Sequence, residues 1–255
     1  MYSSNFSKNA IFVGVVAGLL SGLIGCGGGG GGDDGSPASP PATSTPSVSS
    51  DITTLASCIS ASPGKQFAVS YTTDDGYKKS YIDSFYSGTF SGVAVTVEKS
   101  HHDSDSAGNY VENYVVFTPS KVEYLGYKKY YSDSTSYTNT FSGYSLDLTV
   151  TAGQSQTINV SEVYSSGESS SYAATYVFDG VEALSIAGVT LNTCRLTASG
   201  PGGTVGRPGT VKVTMWYAAG YGFTDPVKRL TITNYSDEKT PSSETDTGEL
   251  TIPLH

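Results

Sequence analysis

Basic residues, histidine, methionine and tryptophan are all scarce in this chain, and each shortage closes off a class of function. Fourteen Lys and Arg stand against 23 Asp and Glu, a formal net charge of −9, so there is no basic face for a nucleic-acid backbone. Only three histidines occur, one of them His255, and there is no His-Glu-x-x-His, Gly-x-Ser-x-Gly, EF-hand loop or Cys-x-x-Cys. Nothing therefore assigns a catalytic residue, a metal-ligand set or a cofactor, and the chain is expected not to be an enzyme. Three cysteines are too few for a disulfide-framework miniprotein and wrongly spaced for zinc. Two Met and one Trp against 19 Tyr and 30 Gly disfavour a helical bundle and favour pleated, half-buried strands.

What is present begins with an export signature. Lys8 precedes an apolar run from Ala10 to Ile24, 15 residues long, which is shorter than the roughly 20 residues of a membrane span. It closes in Leu23-Ile24-Gly25-Cys26. These four residues resemble the lipobox of bacterial lipoproteins, which implies a signal peptide over 1–25, cleavage before Cys26 and acylation of that cysteine. Each buried methylene contributes about 0.8 kcal/mol, so two or three acyl chains would make the membrane a lasting partner. By analogy with lipoprotein sorting in Gram-negative bacteria, Gly27 in place of Asp implies the outer membrane, with its periplasmic and surface faces both open. Residues 26–50 continue as six glycines, Asp33-Asp34 and a Ser/Pro/Ala/Thr stretch, a tether with almost nothing to bury.

Residues 51–255 suffice for one domain with its own core. A short helix is expected at its start, because Ser50 or Asp51 can cap and Ile52, Leu55, Ala56 and Ile59 recur at helical spacing. After that the period is two. Phe67–Tyr71, Val93–Val97, Tyr110–Phe117, Ser145–Val150, Thr175–Phe178, Thr210–Trp216 and Val227–Thr233 read as strands, and Asp75-Gly76, Ser87-Gly88, Ala107-Gly108-Asn109 and Ser166-Gly167 read as turns. Ten to thirteen such strands predict an all-β fold: a large curved antiparallel meander forming an open (half) or closed β-barrel. Tyr77-Lys-Lys-Ser-Tyr81 through Thr89-Phe-Ser-Gly92 is echoed, 50 and then 51 residues on, by Tyr127-Lys-Lys-Tyr-Tyr131 through Thr140-Phe-Ser-Gly143. The echo suggests a duplicated hairpin unit (77–97 and 127–150). Phe178-Asp179-Gly180 is a fainter third copy, and Phe-x-Gly before a strand suggests an inward ring followed by a bulge.

The C-terminal third carries Ala187-Gly188 and Thr193-Cys194-Arg195, then Trp216-Tyr-Ala-Ala-Gly-Tyr-Gly222, then Val227-Lys228. Together with Leu23-Ile24-Gly25-Cys26, this segment resembles uncharacterised proteobacterial outer-membrane lipoproteins, a family that implies location rather than chemistry. Phe223-Thr224-Asp225 lengthens the turn before Pro226. Trp216 and Tyr217 are binding candidates, with a core role as the alternative. Once Cys26 is acylated, Cys58 and Cys194 are an even remainder in an oxidising compartment, which predicts a disulfide; two buried free thiols are the alternative. His101-His102-Asp103-Ser104-Asp105 has metal-like chemistry but reads as an exposed loop. Asp74-Asp75-Gly76 and Asp237-Glu238 read as turns. The Tyr-Lys-Lys stretches could touch headgroups or glycans, or simply be solvated strand faces. Tyrosine hydroxyls need water or a partner, which suits rims and exposed faces. The expected role is non-catalytic, structural or surface-binding, in the envelope, with an envelope protein, glycan or lipid as partner. A half-barrel carrier of lipids or lipoprotein acyl chains is the alternative.

Overall fold

The computed structural model describes residues 53–60, 63–73, 78–102, 109–204, 207–224, 226–236 and 243–251. The expected signal peptide, Cys26 and the tether lie outside the described residues, as do Asp74–Tyr77, Asp103–Gly108 and Asp237–Glu238. Thirteen strands follow one another: β1 (Gln66–Thr73), β2 (Lys78–Phe90), β3 (Val93–His102), β4 (Tyr110–Phe117), β5 (Lys121–Tyr130), β6 (Ser136–Ser142), β7 (Ser145–Asp147), β8 (Ser155–Val163), β9 (Ser169–Ile186), β10 (Val189–Thr204), β11 (Arg207–Tyr217), β12 (Lys228–Tyr235) and β13 (Ser243–Thr251). They form one antiparallel sheet in the order β4-β3-β2-β1-β13-β12-β11-β10-β9-β8-β6-β5-β7, and β4 also pairs β5. The sheet is thus barrel-like, with β6 and β7 lying in turn along one edge of β5. It is thinnest between β6 and β8, where only Thr140–Ser142 register with Val163–Ser161. Beyond the end of β6, the side-chain amide of Gln156 links β8 to β7, accepting from the Asp147 N–H at 2.7 Å and donating to the Asp147 carbonyl at 2.9 Å.

Alternation assigns the faces. Adjacent Tyr114 and Val115 in β4 belong to different buried clusters, because successive side chains leave a strand on opposite sides. The larger cluster fills the interior with Leu146, Ile158, Val160, Phe178, Leu196, Val213 and their neighbours. Tyrosine is part of it as well as of the rim, because the hydroxyls find buried partners. Tyr144 and Tyr176 bond each other at 2.7 Å, and Tyr124 donates to Asn113 at 2.7 Å. A smaller cluster of Val95, Val97 and Tyr114 sits on the outer face. Gly88 makes it possible, since a Cβ there would fall 2.6 Å from Val97 Cγ2.

The expected N-terminal helix is a three-residue 3-10 turn, Leu55–Ser57. Tertiary pairing overrides the helical pattern: Thr54 bridges Thr151, and the N–H groups of Leu55 and Ala56 donate to Val150 and Leu148. Those same bonds hold residues 148–150 out of the expected strand, which stops at Asp147, whose carboxylate accepts from Thr149 N–H and Oγ1 at 2.8 and 2.7 Å. The two similar stretches also differ in layout. Residues 78–90 form a single strand, whereas the second stretch turns between Tyr130 and Ser136. Phe141 and Phe178 are buried and each precedes a break at a positive-φ glycine, but Phe90 lies on the outer face before the turn at Ser91-Gly92.

One end of the barrel is packed shut by the β11–β12 loop and the N-terminal segment. Phe223 enters the interior, 6.1 Å from the Tyr217 ring and 6.3 Å from that of Tyr144. Glu98 of β3, 1% exposed, holds the loop: its carboxylate accepts from the N–H of Phe223 at 2.9 Å and of Thr224 at 2.8 Å, and from Thr224 Oγ1. Gly222, at φ 85°, leaves no room for a Cβ, which would lie 2.6 Å from the Phe85 ring. Phe223 and Thr224, two of the residues that lengthen this turn, thus anchor it. Ser60 accepts from Gly220 and Gly222 at 2.9 Å each, tying the N-terminal segment to the same loop.

Candidate binding face

The outer face of β2–β5 gathers polar and aromatic side chains in three rows set by register. Tyr86, Val97 and Tyr114 lie abreast, then Lys99, Glu112 and Lys128, then Tyr110 and Tyr130. Tyr110, Glu112 and Tyr114 share this face because they alternate along β4. The hydroxyls converge on the carboxylate. Tyr86 donates to Glu112 Oε1 at 2.6 Å, while Tyr114 and Tyr130 donate to Oε2 at 2.9 and 3.0 Å. Tyr110 and Tyr130 stack with centroids 4.2 Å apart, and Phe90 stacks on Tyr114 at 4.1 Å. The lysines lie over rings: Lys99 Nζ is 3.8 Å from the Tyr110 centroid and Lys128 Nζ is 4.6 Å from that of Tyr130.

Burial, and next the bond to Glu112, push the Tyr86 and Tyr114 phenols well above their ordinary range. The same two causes push Tyr130 up to about 12. These hydroxyls therefore stay protonated at neutral pH and keep donating. Each charge-assisted bond is worth about 1.5–3 kcal/mol when desolvated, and less on a face that water reaches. Tyr86 is 38% exposed, and Lys99, Tyr110, Glu112, Lys128 and Tyr130 are half-buried. The cluster is thus ordered yet accessible.

Other candidate residues lie elsewhere. Tyr217 is 1% exposed, with its hydroxyl 3.1 Å from Met215 Sδ, so it belongs to the core and offers nothing to a surface ligand. Trp216 points outward, but its indole N–H donates to Glu182 and its ring packs against the cluster of Ile186, Ala218 and Val227. Arg195, 3.5 Å from Glu182 and 3.4 Å from Asp179, completes that paired network. Cys58 and Cys194 are disulfide-bonded, with Cα atoms 5.7 Å apart. His101 registers with Ile82 in β3, and most of its expected cluster lies outside the described residues. In the second Tyr-Lys-Lys stretch, Lys128 and Tyr130 join the outer face. Tyr127 takes the opposite phase, where its hydroxyl accepts from the Asn139 amide at 2.8 Å and Asn139 also donates to Glu162 at 2.7 Å. Burial raises the Glu162 carboxyl, partly offset by Asn139 and Tyr164.

Glu112, Tyr86 and Tyr114 were not legible as a site. Tyr110-Val-Glu-Asn-Tyr114 does carry a signal, a carboxylate between two tyrosines at period two, but Tyr86 arrives only through strand pairing. No family model, curated protein or solved structure matches the chain.

Proposed function

We propose that the protein is an outer-membrane-anchored lipoprotein whose β domain has a non-catalytic, surface-binding role in the envelope. The lipobox resemblance at Cys26 and the tether over 26–50 support the anchoring. The observation that carries the binding role is the outer face of β2–β5, where three phenols, one carboxylate and two ammonium groups sit in register. The carrier alternative has less support. Acyl chains need an apolar cup, yet Asp83, Glu98, Asn113, Glu162 and Arg229 are buried among the strands, and Phe223 occupies one end.

The test is fractionation combined with binding to isolated envelopes. With Tyr86→Ala and Glu112→Ala removing the surface binding, protein that keeps Cys26 is expected with the outer membrane, and adding Cys26→Ser is expected to leave it soluble or uncleaved. Soluble Cys26→Ser protein is expected to sediment with purified envelope material, and a Tyr86→Ala, Glu112→Ala double variant of it to lose that binding. Normal membrane retention of cleaved Cys26→Ser protein that also carries Tyr86→Ala and Glu112→Ala would sink the anchoring. Unchanged sedimentation of the double variant would sink the binding face.

A further inference from the structure

We infer that the Glu112 face binds a neutral saccharide chain, an assignment that rests on the surface-binding role proposed above. The argument is the bookkeeping of donors and acceptors. A phenol has one proton and two lone pairs, and Tyr86, Tyr114 and Tyr130 all spend the proton on Glu112. What the centre of the patch offers a ligand is therefore acceptor capacity, on the phenol oxygens and the carboxylate. The ligand must bring O–H donors.

The lysines supply the opposite chemistry at the margins. Lys99 and Lys128 flank Glu112 directly in register, one strand away on each side, and their ammonium groups donate. A sugar hydroxyl both gives and accepts, so a chain of pyranose rings matches acceptors at the centre and donors at the edges. Its C–H edges also suit the exposed side of Tyr86.

Charge placement argues against an anionic ligand. Strands are about 4.8 Å apart, so a phosphate or carboxylate reaching both lysines would have to lie over Glu112. Each ammonium is also already seated over a tyrosine ring. A free cation gains little for the same reason, since the ring faces it would use are taken.

The experiment is affinity electrophoresis of the full-length lipidated protein in mild detergent. Native gels would contain dextran, mannan, galactan or soluble chitooligosaccharides, with polygalacturonate as the acidic counterpart and anionic phosphatidylglycerol vesicles tested by flotation of the soluble Cys26→Ser form. At least one neutral saccharide is expected to retard the protein and polygalacturonate to do so less. Glu112→Gln and Tyr130→Phe are each expected to weaken the retarding interaction about tenfold, with Trp216→Phe as the unaffected control. Tyr130→Phe keeps the ring and its stacking, so a fall in that variant with an unchanged unfolding midpoint reads the hydroxyl rather than the fold. Indifference to every neutral saccharide, stronger binding to polygalacturonate or vesicles, or full binding by both variants would each overturn the inference. A protein that ignores all sugars but still binds envelope material through this face loses only the ligand assignment. One that binds no envelope material loses the underlying function.

Discussion

Glu98 and Glu112 accept hydrogen bonds in the same pattern, one on Oε1 and two on Oε2, but from opposite faces of the sheet. Glu98 lies inside and takes backbone and hydroxyl donors from a loop 125 and 126 residues away. Glu112 lies outside and takes phenols from its own and nearby strands. The comparison shows that position, rather than bond count, decides what a carboxylate does. Where water is excluded, the charge must be fully satisfied, so Glu98 acts as a fastener. Where water has access, the same bonds contribute less stability and leave their oxygens open to a ligand.

The closed end is where perturbation should cost most. Replacing Cys58 and Cys194 together by Ser is expected to lower stability by about 4–5 kcal/mol on the chain-entropy model, because the bond spans 136 residues. Urea unfolding of oxidised wild type and the double variant measures it, and a loss below about 1 kcal/mol would show that the plug holds without its bond. Glu98→Ala is expected to cost about 3–5 kcal/mol, since three donors would be left buried in the interior. Gly222→Ala should follow at about 2–3 kcal/mol, from a positive φ and a Cβ forced against Phe85. Thermal unfolding ranks those two, and a neutral Gly222→Ala would mean that the loop repacks freely.

The outer face should respond far less to the matching change. Glu112→Gln is expected to cost about 1 kcal/mol or less. A loss equal to that of Glu98→Ala would erase the distinction between the two sites. The smallest effect concerns pH. The Tyr130 phenol is raised from 10.0 to about 12 in the folded protein, so its contribution is complete below about pH 10 and is lost as pH rises through about 12. Unfolding midpoints measured from pH 9 to 12 should fall, and fall less in Glu112→Gln, whose neutral amide raises the phenols less. An equal fall in both would show that burial alone sets those values.

Much of the framework was legible because it is local. Period-two runs marked Tyr110–Phe117 to the residue as β4 and placed β1, β3, β7, β11 and β12 within a few positions, while Thr175–Phe178 marked only a short piece of β9 and the other strands carried no run of their own. The even pair Cys58 and Cys194 announced their bond by arithmetic. The helix over 52–59 was misjudged because Leu55 and Ala56 donate to a segment more than 90 residues away, and no local pattern reports a distant acceptor. The tyrosine cluster was half visible: Tyr110, Glu112 and Tyr114 are one alternating strand, while Tyr86 and Tyr130 arrive through β2–β3–β4–β5 pairing.

By itself, the sequence determined that the chain makes strands, roughly where several of them lie, and which residues alternate together, because side-chain direction along a strand depends only on parity. Parity names two faces without saying which one meets water. Only the tertiary structure decided that Glu98 faces inward and Glu112 outward, that Phe223 fills one end, and that Tyr217 is core while Trp216 is not. Those outcomes depend on strand order and register, which emerge when the whole ladder pairs at once.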